Sequence, residues 1–409
     1  VKNKEKDEKS VYEMYYEYSE AVRSIVSHRI LALNRGEKEE ILKVTIAPPV
    51  DAIVGYLQRK IIKHNTKAEV VNLIKLAIED SYKRLIEPSI EREIRSGLTE
   101  KAEEQAISVF ATNLKNLLLQ PPLKGRTVLG VDPAYRTGCK LAVIDETGKL
   151  HQVGVIYPTA PKHDVEGAEK IVLEYLNKYS IELIAIGNGT ASRETEQFIS
   201  DVITKNSLDI PYIIVNEAGA SVYSASELAR EEFPDLQVEE RSAASIARRV
   251  QDPLAELVKI DPKSIGVGQY QHDVSQKALN ESLTFVVETA VNQVGVNVNT
   301  ASRSLLQYVS GLSKTVAGNI VKLRNENGKF TNRKQLKKIP RLGAKTYEQA
   351  IGFLRIIDGD NPLDRTPIHP ESYEHTERLL AMLECKIEDI GSDKLKEKLA
   401  SLNKNEIAT

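Results

Sequence analysis

Residues 127–145 read TVLGVDPAYRTGCKLAVID, and the fold turns on this stretch. Residues 127–131 form a short apolar run that ends on Asp132 and Pro133. Such a run predicts a buried strand that presents an acid at its C-terminal end. The polar turn 134–138 leads into a second β-rich run, 140–144. Asp145-Glu-Thr-Gly148 then predicts a hairpin into a third strand near 153–157. Three meandering strands with an acid on the first open a ribonuclease H-like fold, and they also open an actin-like ATPase fold.

Downstream, strand and helix alternate. A helix is predicted over 165–179 and a strand over 181–187 that runs into Asn188-Gly-Thr190, with Thr190 or Ser192 as the cap of the next helix. Residues 211–217 form another strand, which ends on Glu217, and helices follow over 221–232 and 241–260. The order β-β-β-α-β-α-β-α-α is the ribonuclease H-like order. An actin-like kinase needs a second such half with its own phosphate loop, and the sequence holds none. Gly187-Asn188-Gly189 lacks the Lys-Ser/Thr pair of a P-loop and reads as a strand-to-helix turn.

Residues 1–120 read as helical. Val11, Tyr12, Met14, Tyr15, Tyr18 and Val22 recur at helical spacing and read as a core-packing stripe. A strand is possible at 41–46, and helices are predicted over 50–63, 67–87, 88–96 and 99–119. Pro121-Pro122 closes this region. Residues 263–299 read as a connector ending in a helix, 276–292.

Residues 303–345 hold eleven Lys or Arg and one acid, Glu326, in a chain whose net charge is −2. Here two similar units follow one another, 305–324 and 335–355, each a helix, a short Gly-containing hairpin and a helix. Repeated in this way they are a tandem helix-hairpin-helix arrangement. Its hairpin amides and the following helix N-terminus suit a phosphate. The candidate nucleic-acid-binding residues are Gly311, Leu312, Ser313 and Lys314 in the first unit, and Arg341, Leu342, Gly343 and Lys345 in the second. Neither hairpin is an ideal Gly-hydrophobic-Gly: Ser313 stands at the third position of one and Arg341 at the first position of the other.

Composition limits the remaining choices. The 409 residues are 41% hydrophobic and 28% charged, as in an ordinary globular chain of several domains. With near-neutral net charge, a nucleic-acid role has to come from a local patch. Two cysteines, Cys139 and Cys385, make no disulfide framework and point to a cytoplasmic protein. No run is long enough for a membrane span, so a membrane partner is not expected. The His and Cys residues show no metal-ligand spacing.

Together these residues resemble the Tex family of bacterial transcription accessory proteins. The resemblance rests on VYEMYYEYSE, HRILALNRGEKE, LGVDPAYRTGCKLAVID, AIGNGTASRETE, VNEAGASVYSASELAREEFP, ARRVQDPLAELVKIDPKSIGVGQYQHDV, VSGLSKTVAGNIV and NRKQLKKIPRLG. It implies a multidomain, mainly α chain with one α/β ribonuclease H-like (YqgF-like) domain and tandem helix-hairpin-helix motifs. The expected division is a helical core over 1–120, the α/β domain over 125–262, the connector over 263–299, the hairpin pair over 300–360 and a helical segment over 361–409. The resemblance also implies DNA or RNA as partner, with the transcription machinery as a further one. Against the family pattern the chain reads as a core piece, without the N-terminal helix-turn-helix-like part and the C-terminal OB-fold RNA-binding domain.

The catalytic question stays open at this level. Ribonuclease H-type cleavage needs several carboxylates converging on Mg²⁺ ions. The candidates are Asp132, Glu217 and Asp252. Position 188, where related nucleases carry an acid, is Asn188. Asp252 precedes Pro253 and can instead cap the next helix, and Glu217 can cap a neighbouring one. The preferred reading is an inactive scaffold with no cofactor, and the alternative is a Mg²⁺-dependent nuclease.

Overall fold

The computed structural model describes residues 1–64 and 67–401. Its helices are α1 (Ser27–Lys38), α2 (Val50–Ile61), α3 (Ala68–Ser81), α4 (Glu87–Leu118), α5 (Val165–Lys178), α6 (Ser192–Lys205), α7 (Ala220–Ala225), α8 (Glu227–Glu232), α9 (Val238–Gln251), α10 (Pro253–Leu257), α11 (Gln276–Val294), α12 (Arg303–Leu306), α13 (Lys314–Asn327), α14 (Ala344–Ile351), α15 (Tyr373–Met382) and α16 (Asp393–Ala400). The strands are β1 (Val128–Asp132), β2 (Cys139–Ile144), β3 (Leu150–Ile156), β4 (Leu183–Gly187), β5 (Tyr212–Val215), β6 (Val296–Asn297) and β7 (Leu354–Arg355). Among the described residues no helix is long and apolar enough to cross a membrane. The chain is multidomain and mainly α, with one mixed sheet. It separates into two units, 1–113 with 267–282, and 114–266 with 283–409.

In the first unit several local expectations give way to tertiary contacts. Residues 11–22 form no α-helix, only a short 3-10 turn at Glu13–Tyr15. Tyr12 still enters a core with Ile41 and Leu42, while Val11 and Met14 face solvent. Residues 41–46 are not a strand. The amides of Val44 and Ile46 donate to the carboxylates of Glu37 (3.3 Å) and Glu91 (3.0 Å), so side chains take the place of a partner strand. The helices read at 88–96 and 99–119 are one helix, α4, joined to α3 through a five-residue π turn, Tyr82–Ile86. Pro88 comes just after this π turn inside a continuous helical run, and the widened turn is where a helix takes up the missing N–H of a proline. Part of the connector packs in this unit: the Asn113 amide donates to the Val267 carbonyl at 2.8 Å, and Arg35 pairs with Asp273.

In the second unit the sheet order is β3-β2-β1-β4-β5. β1 runs antiparallel to β2 and parallel to β4, which is parallel to β5. Leu129, Val131 and Ile186 are buried on one face, against α5 and α6. Val128, Ala142 and Ala185 are buried on the other, against α9. A Cβ on Gly130 would collide with the Ala243 carbonyl and Ala247, so this glycine is what lets α9 lie close on β1. At the β2–β3 turn Asp145 accepts from the amides of Thr147 (2.9 Å) and Lys149 (3.0 Å) and contacts His151 Nε2 at 2.6 Å. The helices read at 221–232 and 241–260 are each broken in two, at Ser226 and at Asp252-Pro253.

Candidate functional site: a carboxylate pair and a braced pair of hairpins

The C-terminal ends of β1, β4 and β5 bring Asp132, Asn188 and Glu217 together, where ligands meet open α/β sheets. The Glu217 amide donates to Asn188 Oδ1 at 3.1 Å. The Glu217 carboxylate takes the Gly189 amide, while its Oε2 is buried without a partner among the described residues. A Cβ on Gly187 or Gly189 would strike this carboxylate, so the two glycines make its berth. Burial raises the Glu217 pKa and the nearby Asp132 charge adds to it. Burial also raises that of Asp132, with the charge of Glu239 adding to it, against the opposing pull of Ser242, Lys140 and Arg249.

Asp252 does not join them. It accepts from the Ala255 amide at 3.0 Å with Pro253 behind it, pairs with Lys124 at 3.2 Å, and is therefore the cap of α10. Asp252→Ala is expected to cost about 1 kcal/mol in urea unfolding through the lost cap, and to leave the Asp132 site unchanged. Glu217 caps no helix, since the N-cap of α7 is Gly219. Neither Thr190 nor Ser192 caps α6, which starts from Ala191 in a left-handed conformation.

The residues missed in the sequence come from α9. Ser242 lies beside Asp132, and Arg249, 4% exposed, projects from the same helix. Arg249 Nη1 donates to the carbonyls of Asn216 (2.7 Å) and Ala218 (2.8 Å), and its Nε and Nη2 have no partner among the described residues. Its charge acts on Glu256 and on both Glu217 and Asp132. Lys140, paired across from Asp132 in the sheet, is buried with its ammonium on the Thr137 (2.9 Å) and Gly138 (3.0 Å) carbonyls. A polar stripe, Ser242, Ser245 and Arg249, at helical spacing within an Ala-rich helix was the available signal.

The site offers Asp132 and Glu217, the charge of Glu239 from the first turn of α9 acting on Asp132, an amide and two fixed cations. Among the described residues no group of three His, Cys, Asp or Glu is placed to hold a metal ion.

The hairpins lie in the same unit and repeat with a shift of 30 residues, from 309–313 to 339–343. Leu312 and Leu342 are buried, and their amides close the turns on Val309 (3.0 Å) and Ile339 (3.1 Å). Gly311 and Arg341 hold the same left-handed position, at φ 86° and 65°. Ser313 and Gly343 are equivalent N-caps of α13 and α14. The departures from Gly-hydrophobic-Gly thus leave the backbone intact. The leading helices are shorter than expected: α12 has four residues, and a 3-10 helix, Arg333–Lys338, stands in the second unit.

Two reciprocal bonds brace the pair. Asn319 on α13 donates to the Pro340 carbonyl at 2.8 Å, and Gln349 on α14 donates to Ser310 Oγ at 3.0 Å. Both bonds join the same two repeat positions, as local two-fold symmetry requires. Lys314, Arg341 and Lys345 are exposed. Ser313 Oγ takes the Val316 amide at 3.2 Å, whereas Gly343 has no side chain, so the first-turn amides of α14 lack that cap.

Fold and site define a ribonuclease H-like domain carried with a braced tandem helix-hairpin-helix. Four family models match in turn: the Tex central region over 1–110, the Tex YqgF-like domain over 126–251, a helix-hairpin-helix motif over 291–355 and an HHH domain over 361–409. YdcI of Bacillus subtilis is 67% identical over 407 residues, covering 100% of this chain and 56% of its own. Protein tex of Bordetella pertussis is 47% identical, over 92% of this chain and 49% of its own. The human S1 RNA-binding domain-containing protein 1 is 40% identical, over 99% of this chain and 46% of its own. The chain belongs to the Tex family. It spans about half the length of the curated relatives it matches.

Proposed function

We propose that the chain binds nucleic acid as part of a transcription accessory protein, gripping the phosphate backbone through its two hairpins without reading sequence. The observation that carries this is the braced repeat, which presents turn amides, Lys314, Arg341 and Lys345 at matching positions. Hairpin amides and Lys or Arg side chains recognise phosphate rather than base edges. The names of relatives agree, among them the transcriptional accessory protein Tex of Neisseria gonorrhoeae, 47% identical over 90% of this chain. Labelled duplexes of unrelated sequence should bind with equal affinity in fluorescence anisotropy. A strong preference for one sequence would overturn the reading. The transcription machinery as partner and the cytoplasm as location belong to the same proposal.

The ribonuclease H-like domain serves in this reading as a scaffold without a cofactor. Asn188, the capping role of Asp252 and the buried Arg249 support it. A ligand that binds the folded state must raise its melting temperature. Millimolar Mg²⁺ or Mn²⁺ is therefore expected to leave the melting temperature unchanged in wild type and in Asp132→Asn, with no cleavage of single-stranded, duplex or branched substrates. The alternative, a metal-dependent nuclease, keeps the Asp132–Glu217 pair in its favour. Saturable stabilisation lost in Asp132→Asn would establish it.

A further inference from the structure

Beside the first hairpin runs a groove of about 590 Å³ with α11 as one wall. Phe285, Thr289 and Asn292 lie on one face of that helix, and Ser310 and Gly311 of the hairpin line the other side. Asn292 fixes the two walls to each other. Its Oδ1 accepts from the Ser310 amide at 3.0 Å, and its Nδ2 donates to the Tyr308 carbonyl at 3.2 Å. Phe285 is two turns from Asn292 and 68% exposed, an unusual position for a phenylalanine. Its ring has no aromatic partner or cation over it among the described residues.

We propose that Phe285 is a stacking platform for an unpaired base of a nucleic-acid strand whose backbone is held at the first hairpin. This rests on the backbone-binding reading above. The separation along α11 from Asn292 to Phe285 is about 10 Å, or about three stacked nucleotide steps. A paired base has both faces covered within the duplex, so only an overhang or single strand can use the ring. The amide of Gln307 in the same groove supplies a donor and an acceptor for a base edge. The preferred substrate is therefore a duplex that ends in a single strand.

The test compares a blunt DNA duplex with the same duplex carrying a short overhang that contains 2-aminopurine. Wild type should bind the overhang form more tightly and quench the 2-aminopurine by stacking. Phe285→Ala should weaken overhang binding by about 5- to 100-fold, leave blunt-duplex affinity unchanged and abolish the quenching. Phe285→Trp should restore both effects. Equal binding of the overhang by wild type and Phe285→Ala overturns the platform, as does an equal loss on blunt and overhang duplexes. Failure of wild type to bind blunt duplex overturns the backbone reading instead, and with it the platform.

Discussion

Lys314→Glu combined with Lys345→Glu is expected to weaken duplex binding by on the order of 100-fold near physiological salt, equally for every sequence. Both lysines are exposed, at equivalent places in a repeat whose backbone does not depend on them. Neither has an ion-pair partner among the described residues, so the change breaks no internal contact. Each lost phosphate contact should reduce the slope of log K against log salt by about 0.9, so the double variant should be flatter by about 1.8. The measurement is anisotropy at several salt concentrations, with circular dichroism to verify folding. A folded double variant with wild-type affinity and slope would show that the hairpins only pack.

Arg249→Met is expected to cost about 3–5 kcal/mol of stability at neutral pH, because it leaves buried charge uncompensated. The guanidinium is the buried cation that acts on Glu256 and on both Glu217 and Asp132, and it bonds the Asn216 and Ala218 carbonyls at the end of β5. The pH dependence has a definite sign. Both carboxyls already titrate above their ordinary range, so their ionised forms cost stability above that range, and the cost fades as they protonate. Removing the positive charge raises both pKa values further. The deficit of Arg249→Met should thus be largest near pH 7 and shrink as the pH falls through the folded pKa values. Adding Glu217→Gln should recover part of the loss at neutral pH. Urea unfolding of the four proteins of this cycle at several pH values measures the coupling. Additive effects at neutral pH would show that Arg249 is only a bond donor to the loop.

Much of the fold was legible because its determinants are local. The apolar run ending on Asp132, the turn at Asp145–Gly148 and the two hairpins each specify themselves within a few residues. The helices read separately over 67–87, 88–96 and 99–119 run on as α3, the π turn and α4, because the π turn takes up Pro88 and Gly97 is tolerated inside a long helix. Residues 41–46 misled because apolar alternation does not show whether a partner strand exists, and here Glu37 and Glu91 take the amides.

Residue type and short spacing were enough for the three-strand opening, the acid at the end of β1, the basic repeat and the family. Which charges meet depends on contacts between distant segments. The packing set Glu217 beside Asp132, while the Asp252 carboxylate is held on the Ala255 amide as the cap of α10. It also brought Arg249 and Ser242 from α9 onto the carboxylates through the close approach that Gly130 permits, and it joined the hairpins through Asn319 and Gln349. Burial and charge neighbours come from contacts between distant segments, and no local pattern encodes them.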